Sequence, residues 1–277
     1  MENNSQSSSL YNSTLLARIA VTPHLHILRV KPDIKDFEFT PGQFTVLGLT
    51  WSSASLPGAD RADYPEAKAE RLIRRAYSIS SGSLVEEYIE FYVSLVTSGE
   101  LTPRLFHLPV GERLFIGPKG KGLFTLDRVA AGKNIVLVAT GTGLAPYISM
   151  VRSLALEESC PTRTITILHG AKYSWDLGYR AELESLGRAC PSFHYLPIIT
   201  QPGEDKSWNG RVGRLNEWIA KPELADICQV PIDGQQTDFF LCGHPEMVIS
   251  CAAIMKEKGF IEETRKESGN LHLEKYW

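Results

Sequence analysis

Cysteine is scarce in this chain and badly spaced for metal. The five, Cys160, Cys190, Cys228, Cys242 and Cys251, form no CxxC or CxxxxCxxC pattern, which argues against an iron–sulfur cluster or a zinc site. An odd, dispersed count also fits a reducing compartment. No apolar run approaches membrane-spanning length. The start, Met1 to Ser13, is rich in Asn and Ser and lacks the basic segment and apolar stretch of a secretory signal, so a disordered polar tail is expected over 1–13. Charge of one sign is not in excess: the formal net charge is −3, with 22% of residues charged, which gives no bulk attraction to nucleic acid. These absences predict a cytoplasmic protein without metal, nucleic-acid partner or membrane span; a monomer is expected, although no motif bears on the oligomeric state.

The 277 residues, 43% of them hydrophobic, fit two domains, each large enough to bury its own core. From Leu15 to about Leu126 the apolar residues come in short runs punctuated by Gly and Pro. Strands are expected at Thr14–Val21, Leu25–Val30, Gln43–Leu49, Arg75–Ser80, Tyr88–Val96 and Arg113–Gly117, which make a six-stranded antiparallel β-barrel over 14–126. Residues 51–74 interrupt it: a Ser- and Pro-Gly-containing loop, then helical composition over Tyr64–Arg74. At Asn134 the rhythm changes to buried strands (Ile135–Ala139, Thr164–His169, Phe193–Thr200, Thr237–Cys242) alternating with amphipathic helices near Ala145–Leu156, Leu177–Gly187, Arg214–Ala220 and Glu246–Lys258. That alternation predicts a doubly wound parallel α/β domain over 127–277.

Four stretches carry chemistry. In Arg75-Ala76-Tyr77-Ser78 strand alternation puts a guanidinium and a phenol ring on one face, a pairing suited to a nucleotide cofactor, although for these four residues alone a plain half-exposed strand is the better explanation. Gly99-Glu100-Leu101-Thr102-Pro103-Arg104-Leu105 reads as a helix start with Thr102 as N-cap and Pro103 at the first position, able to hold a phosphate or simply capped. Thr140-Gly141-Thr142-Gly143-Leu144-Ala145-Pro146 follows the first strand of the second domain and opens a helix. There glycines let the backbone approach a ligand at the strand's carboxyl end. Leu241-Cys242-Gly243-His244-Pro245 repeats that arrangement at the last expected strand.

In this order, and with the aromatic end Glu274-Lys275-Tyr276-Trp277, these motifs resemble the bacterial ferredoxin/flavodoxin–NADP reductases, over nearly the whole chain from Leu15. Only the polar tail and the 51–74 excursion fall outside the likeness. The resemblance implies an FAD-binding barrel and an NADP-binding α/β domain, with ferredoxin or flavodoxin as the one-electron partner. It implies Arg75 at the FAD pyrophosphate, Tyr77 against the isoalloxazine, Ser78 near flavin N5, and Leu101 and Thr102 at phosphate. Thr140, Gly141, Thr142 and Gly143 would receive the pyridine nucleotide, with Cys242 beside the nicotinamide. Ser78 and Glu274 would handle the N5 proton. Tyr276 would cover the flavin and yield to the nicotinamide, and Trp277 would stack on adenine.

The resemblance also implies that Lys172 and Arg211 hold the 2′-phosphate of NADP, with Gln201 where it implies a third arginine. NADPH is therefore favoured and NADH remains open. A basic patch of Arg71, Arg74, Lys119 and Lys121 would steer an acidic carrier. Two other readings stand beside this one: an NADH-dependent reductase that feeds an oxygenase, and a nucleotide-sensing module without catalysis.

Overall fold

The computed structural model describes residues 10–59, 68–158 and 160–276. The chain divides into two units, Met1–Leu123 and Phe124–Trp277, a boundary slightly earlier than the change of sequence rhythm suggested. Phe124 belongs to the second unit because its ring packs 6.0 Å from Tyr147 and 5.1 Å from Phe240.

The first unit holds β1 (Ser13–Thr22), β2 (Leu25–Pro32), β3 (Phe44–Thr50), β4 (Leu72–Ser78), β5 (Ile89–Ser94), helix α1 (Thr102–His107) and β6 (Arg113–Ile116). All pairings are antiparallel, in the order β4-β3-β6-β1-β2-β5. A bridge between Ile79 and Phe91, with Ser80 N donating to Glu90 O at 2.8 Å, joins the two outer strands and closes the barrel. Closure removes the exposed edges an open sheet would present. Leu15, Leu28, Leu47, Phe91, Leu105 and Ile116 fill the interior.

Two expectations for this unit change. The fourth strand starts at Leu72, and residues 68–70 form a single tight turn. The helical composition of Tyr64–Arg74 therefore does not become a helix over 68–74, because pairing with β3 in register from Thr50↔Leu72 to Phe44↔Ser78 wins; residues 60–67 lie outside the described residues. The polar tail also ends earlier than Ser13. Tyr11 packs on the barrel core and its hydroxyl lies 3.2 Å from Thr50 Oγ1 and 3.1 Å from Ser53 Oγ. Asn12 exchanges side-chain hydrogen bonds with the backbone of Ile116 at 2.9 and 2.8 Å.

The second unit holds β7 (Asn134–Thr140), α2 (Ala145–Glu158), β8 (Ile165–Ala171), α3 (Arg180–Ala189), β9 (Phe193–Ile199), β10 (Arg211–Val212), α4 (Leu215–Ala220), α5 (Leu224–Cys228), β11 (Thr237–Gly243), α6 (Pro245–Glu257) and β12 (Leu271–Lys275). Its six strands are all parallel, in the order β10-β9-β8-β7-β11-β12. The order reverses between β7 and β11, so the carboxyl ends of those strands form the switch point of a doubly wound sheet. One face buries Val136, Val138, Leu168, Phe239 and Leu241 with Leu215, Val248 and Met255.

The sequence pattern missed β10, α5 and β12. β10 has two residues and α5 five, too short to show a period. β12 matters more, since what read as a terminal tail is an edge strand paired with β11, Cys242 opposite Glu274. Cys160 and Cys190 are joined by a disulfide, with Cα atoms 5.5 Å apart. The odd cysteine count therefore does not signal five reduced thiols, and Cys228, Cys242 and Cys251 are the free ones. No helix among the described residues is long and apolar enough to cross a membrane.

Candidate functional site

In the barrel, Arg75 exposes its guanidinium, with 53% of the side chain accessible. It bonds the Arg74 carbonyl at 2.9 Å and pairs with the Glu100 carboxylate. That pair joins β4 to the start of α1, so the two barrel stretches singled out in sequence meet in space. Tyr77 is half-buried against the barrel core. Burial pushes its phenol well up, and the Arg75 charge opposes this only in part. Ala76 is exposed, while Ser78 is buried.

At α1 the expected cap is displaced by one residue. Leu101 is the N-cap, Pro103 stands one position further in, and Leu101 buries its side chain in the core. The Thr102 hydroxyl is committed elsewhere, accepting from Val96 N and donating to Val96 O, both at 3.0 Å. The intrahelical bonds begin with Arg104 N and Leu105 N on the Leu101 carbonyl. What Leu101 and Thr102 offer a ligand is therefore backbone N–H rather than side chain.

In the second unit two glycine turns touch at the switch point. After β7 the chain makes a tight turn over Gly141–Leu144 and enters α2 with Pro146 in its first turn. A Cβ on Gly143 would lie 2.3 Å from Cys242 O, and one on Gly243, whose φ is +135°, would lie 2.4 Å from Thr140 Oγ1. No side chain fits between the turns. Thr140 Oγ1 accepts from His244 N at 2.9 Å and ties them together. Gly141, at φ +53°, has nothing within 4 Å of a Cβ position, so its outer side is open.

Register across the sheet aligns Pro197, His169, Ala139, Cys242 and Glu274 in one row. Residues in one row of a parallel sheet face the same way. Cys242 is fully buried. Burial, and then the Glu274 charge, hold its thiol well above the ordinary range, while a hydrogen bond with Tyr276 works against them. It is a neutral thiol rather than a thiolate. Burial raises the Glu274 carboxyl to about 7. Tyr276 lies over both turns, its N donating to Gly243 O at 3.2 Å and its hydroxyl to Thr142 O at 3.3 Å. Tyr147 of α2 is buried behind this group, donating to Val138 O at 3.2 Å, and its phenol is raised by burial and by Cys242, Tyr276 and Glu274. Sequence reasoning missed Tyr147, although its place just after Pro146 marks it as facing the sheet end. Trp277 lies outside the described residues.

Lys172 and Gln201 also come together: Gln201 N donates to Lys172 O at 3.0 Å. The Tyr173 hydroxyl lies 2.9 Å from Gln201 Oε1 and 2.8 Å from Glu204 Oε2, and the Lys172 ammonium sits 5.0 Å from the Tyr173 ring centre. Glu204 thus brings a carboxylate that the sequence reading had not counted. Arg211 opens β10 with its guanidinium 6.0 Å from the Trp218 ring centre.

The chain is similar to known proteins over most of its length. Residues 137–253 match the oxidoreductase NAD-binding domain family. A ferredoxin–NADP reductase A from Sorangium cellulosum is 32% identical over 86% of this chain and 80% of its own length. A flavodoxin/ferredoxin–NADP reductase from Buchnera aphidicola is 30% identical over 86% and 88%. Among solved structures, a ferredoxin NADP+ reductase from Neisseria gonorrhoeae with bound FAD and NADP superposes with a TM-score of 0.78 at 21% identity, covering 95% of this chain and 97% of that one.

Proposed function

The chain belongs to the ferredoxin/flavodoxin–NADP reductases, and on that premise we propose that it is an FAD enzyme moving electrons between NADPH and a ferredoxin or flavodoxin. The observation that carries this reading is the switch point itself. Two turns that exclude side chains adjoin a neutral thiol, a near-neutral carboxyl and an overlying phenol. The residues fit the groups they would hold. Gly141 leaves open backbone for a dinucleotide, and the exposed guanidinium of Arg75 beside the α1 amides suits a pyrophosphate. FAD held there would supply the conversion between a two-electron hydride and the single electrons that a one-electron carrier requires.

The protein's own residues bind, exclude and hold protons. Arg75, with the backbone of Leu101 and Thr102, would hold the FAD phosphates, Tyr77 with Ala76 beside it would flank the ring, and Ser78 would lie near N5. Thr140, Gly141, Thr142 and Gly143 receive the pyridine nucleotide, and Lys172 and Arg211 receive its 2′-phosphate. Cys242 presents a protonated, uncharged sulfur, which suits a ring that changes charge. Glu274, poised near neutrality, can hold or release a proton in the working range. Tyr276 must give up its bonds to Thr142 and Gly243 for a nicotinamide to enter, so it acts as the gate. The exposed cations Arg71, Arg74, Lys119 and Lys121 suit an acidic carrier.

Glu204 and Gln201 favour a second reading, an NADH-linked reductase, because a carboxylate beside the 2′-phosphate position opposes that phosphate. The purified protein should be yellow and bleach anaerobically on adding NADPH, then reoxidise on adding ferredoxin or flavodoxin. A colourless protein, or a flavin that NADPH leaves oxidised, would overturn the proposal. Faster bleaching by NADH would select the second reading.

A further inference from the structure

The segment that follows β9 folds back onto the end of β8 and is pinned there. Thr200 N donates to Ala171 O at 3.1 Å, Gln201 N to Lys172 O at 3.0 Å, and Ser174 N to Oδ2 of the buried Asp205 at 2.8 Å. These bonds fix residues 200–205 against 171–174. Within that frame the Tyr173 hydroxyl lies 2.8 Å from Glu204 Oε2 and 2.9 Å from Gln201 Oε1. The Tyr173 ring is itself stacked on Trp175, with centres 4.6 Å apart and planes at 20°. A phenol has one hydrogen to give, and a charged carboxylate is the stronger acceptor. Tyr173 therefore holds the Glu204 carboxylate at the end of β8. Among the described residues that partner is a phenol rather than a cation, so the negative charge of Glu204 is not cancelled.

In a doubly wound sheet the pyrophosphate of a dinucleotide sits at the turn after the first strand, here β7, and the adenosine ribose reaches the end of the second, here β8. A carboxylate at that place accepts from a free 2′-hydroxyl, whereas cations receive a 2′-phosphate. Both kinds of group are present: Lys172 and Arg211 are exposed cations, and Glu204 is an exposed anion. A carboxylate offers acceptors only. The hydroxyl can give it a hydrogen, while the phosphate brings like charge. We propose that Glu204 is a specificity-determining residue for the adenosine ribose: its carboxylate accepts from the 2′-hydroxyl of NADH and repels the 2′-phosphate of NADPH, offsetting Lys172 and Arg211. The chain then uses both dinucleotides. The inference rests on the reading that the Gly141–Gly143 turn receives a pyridine nucleotide.

The test uses the FAD-loaded full chain with NADP+ and NAD+ as probes, reading both dissociation constants and kcat/KM for NADPH and NADH. The wild type should favour NADPH by less than about tenfold. Glu204→Gln removes the charge and keeps the size, at an exposed position outside the core. It should tighten NADP+ about tenfold and weaken NAD+ about threefold, as loss of one nearby like charge and one charged acceptor would do. Tyr173→Phe, which releases the carboxylate, should move the ratio the same way by about threefold. A wild type that favours NADPH more than about tenfold would overturn the proposal. So would a Glu204→Gln protein whose two affinities are unchanged or move together, the mark of a merely structural residue. A wild-type flavin that neither dinucleotide reduces would instead remove the nucleotide-turn reading, and this inference with it.

Discussion

The two candidate sites are built in opposite ways. On the barrel, the site consists of what side chains supply: an exposed guanidinium, a half-buried phenol and the amides of a short helix. At the switch point, the site exists because side chains are missing: Gly143 and Gly243 bring two turns together so closely that a methyl group on either would overlap backbone or Thr140. The first can be weakened by removing atoms and the second by adding them. A surface strand tolerates charge in water, whereas a parallel sheet covered on both faces must bury whatever its strand ends carry. Burial accordingly shifts Cys242, Glu274, His169 and Tyr147 in the second unit, whereas in the barrel site it shifts Tyr77 and leaves the guanidinium exposed.

The contrast is broken most sharply at the glycines. Gly143→Ala should lose on the order of 4 kcal/mol of stability or fail to fold, because its neighbour is backbone and cannot turn aside. Gly141→Ala has space and should lose only about 1–2 kcal/mol, the cost of left-handed backbone. Thermal unfolding of both reads the difference, and equal losses would mean that contact between the turns is not the constraint.

Glu274 sharpens the comparison through pH. Its carboxyl is raised from 4.5 to about 7 in the fold, so between those values the unfolded chain has released a proton that the folded one keeps. Stability should therefore fall as pH rises from about 4.5 to about 7 and level off above, by up to about 3 kcal/mol. Denaturant titrations of Glu274→Gln should lack that slope, and a variant that keeps it would assign the effect to another group.

The smallest expected effect tests the barrel. Arg75→Ala should weaken FAD retention about 10- to 100-fold, the worth of a charge-assisted phosphate contact, with Arg75→Lys in between. NADP+ affinity should stay within about twofold of the wild type, since no group of the second unit is altered. An unchanged FAD dissociation constant would show that the guanidinium serves Glu100 rather than a cofactor.

Much of this was legible beforehand. Ten strands stand where the short apolar runs put them, because each is long enough to show its period and is bounded by Gly or Pro. The Gly141 turn was legible from its place between a buried strand and a Pro-opened helix. The failures share a physical cause. Thr102 looks like a cap, but its hydroxyl found the Val96 backbone first. Tyr64–Arg74 has helical composition, yet the barrel needed its last residues as strand. Cys160 and Cys190 are separated by 30 residues, a spacing that says nothing until α2 and α3 bring their ends together.

The sequence by itself determined which residue types face which period, and hence a closed barrel followed by a doubly wound sheet with glycines at its first turn. Only the tertiary structure decided that the last strand lies beside β11. That pairing puts Glu274 in register with Cys242 and Tyr276 over the two turns, and the β7–β11 and β7–β8 pairings bring Ala139 and His169 into the same row. Local pattern encodes a strand's inward face, but register between strands far apart in the chain is set by packing of the whole sheet. Cys242, Glu274 and Tyr276 were therefore readable one at a time, while Tyr147 and the coupling among them were not.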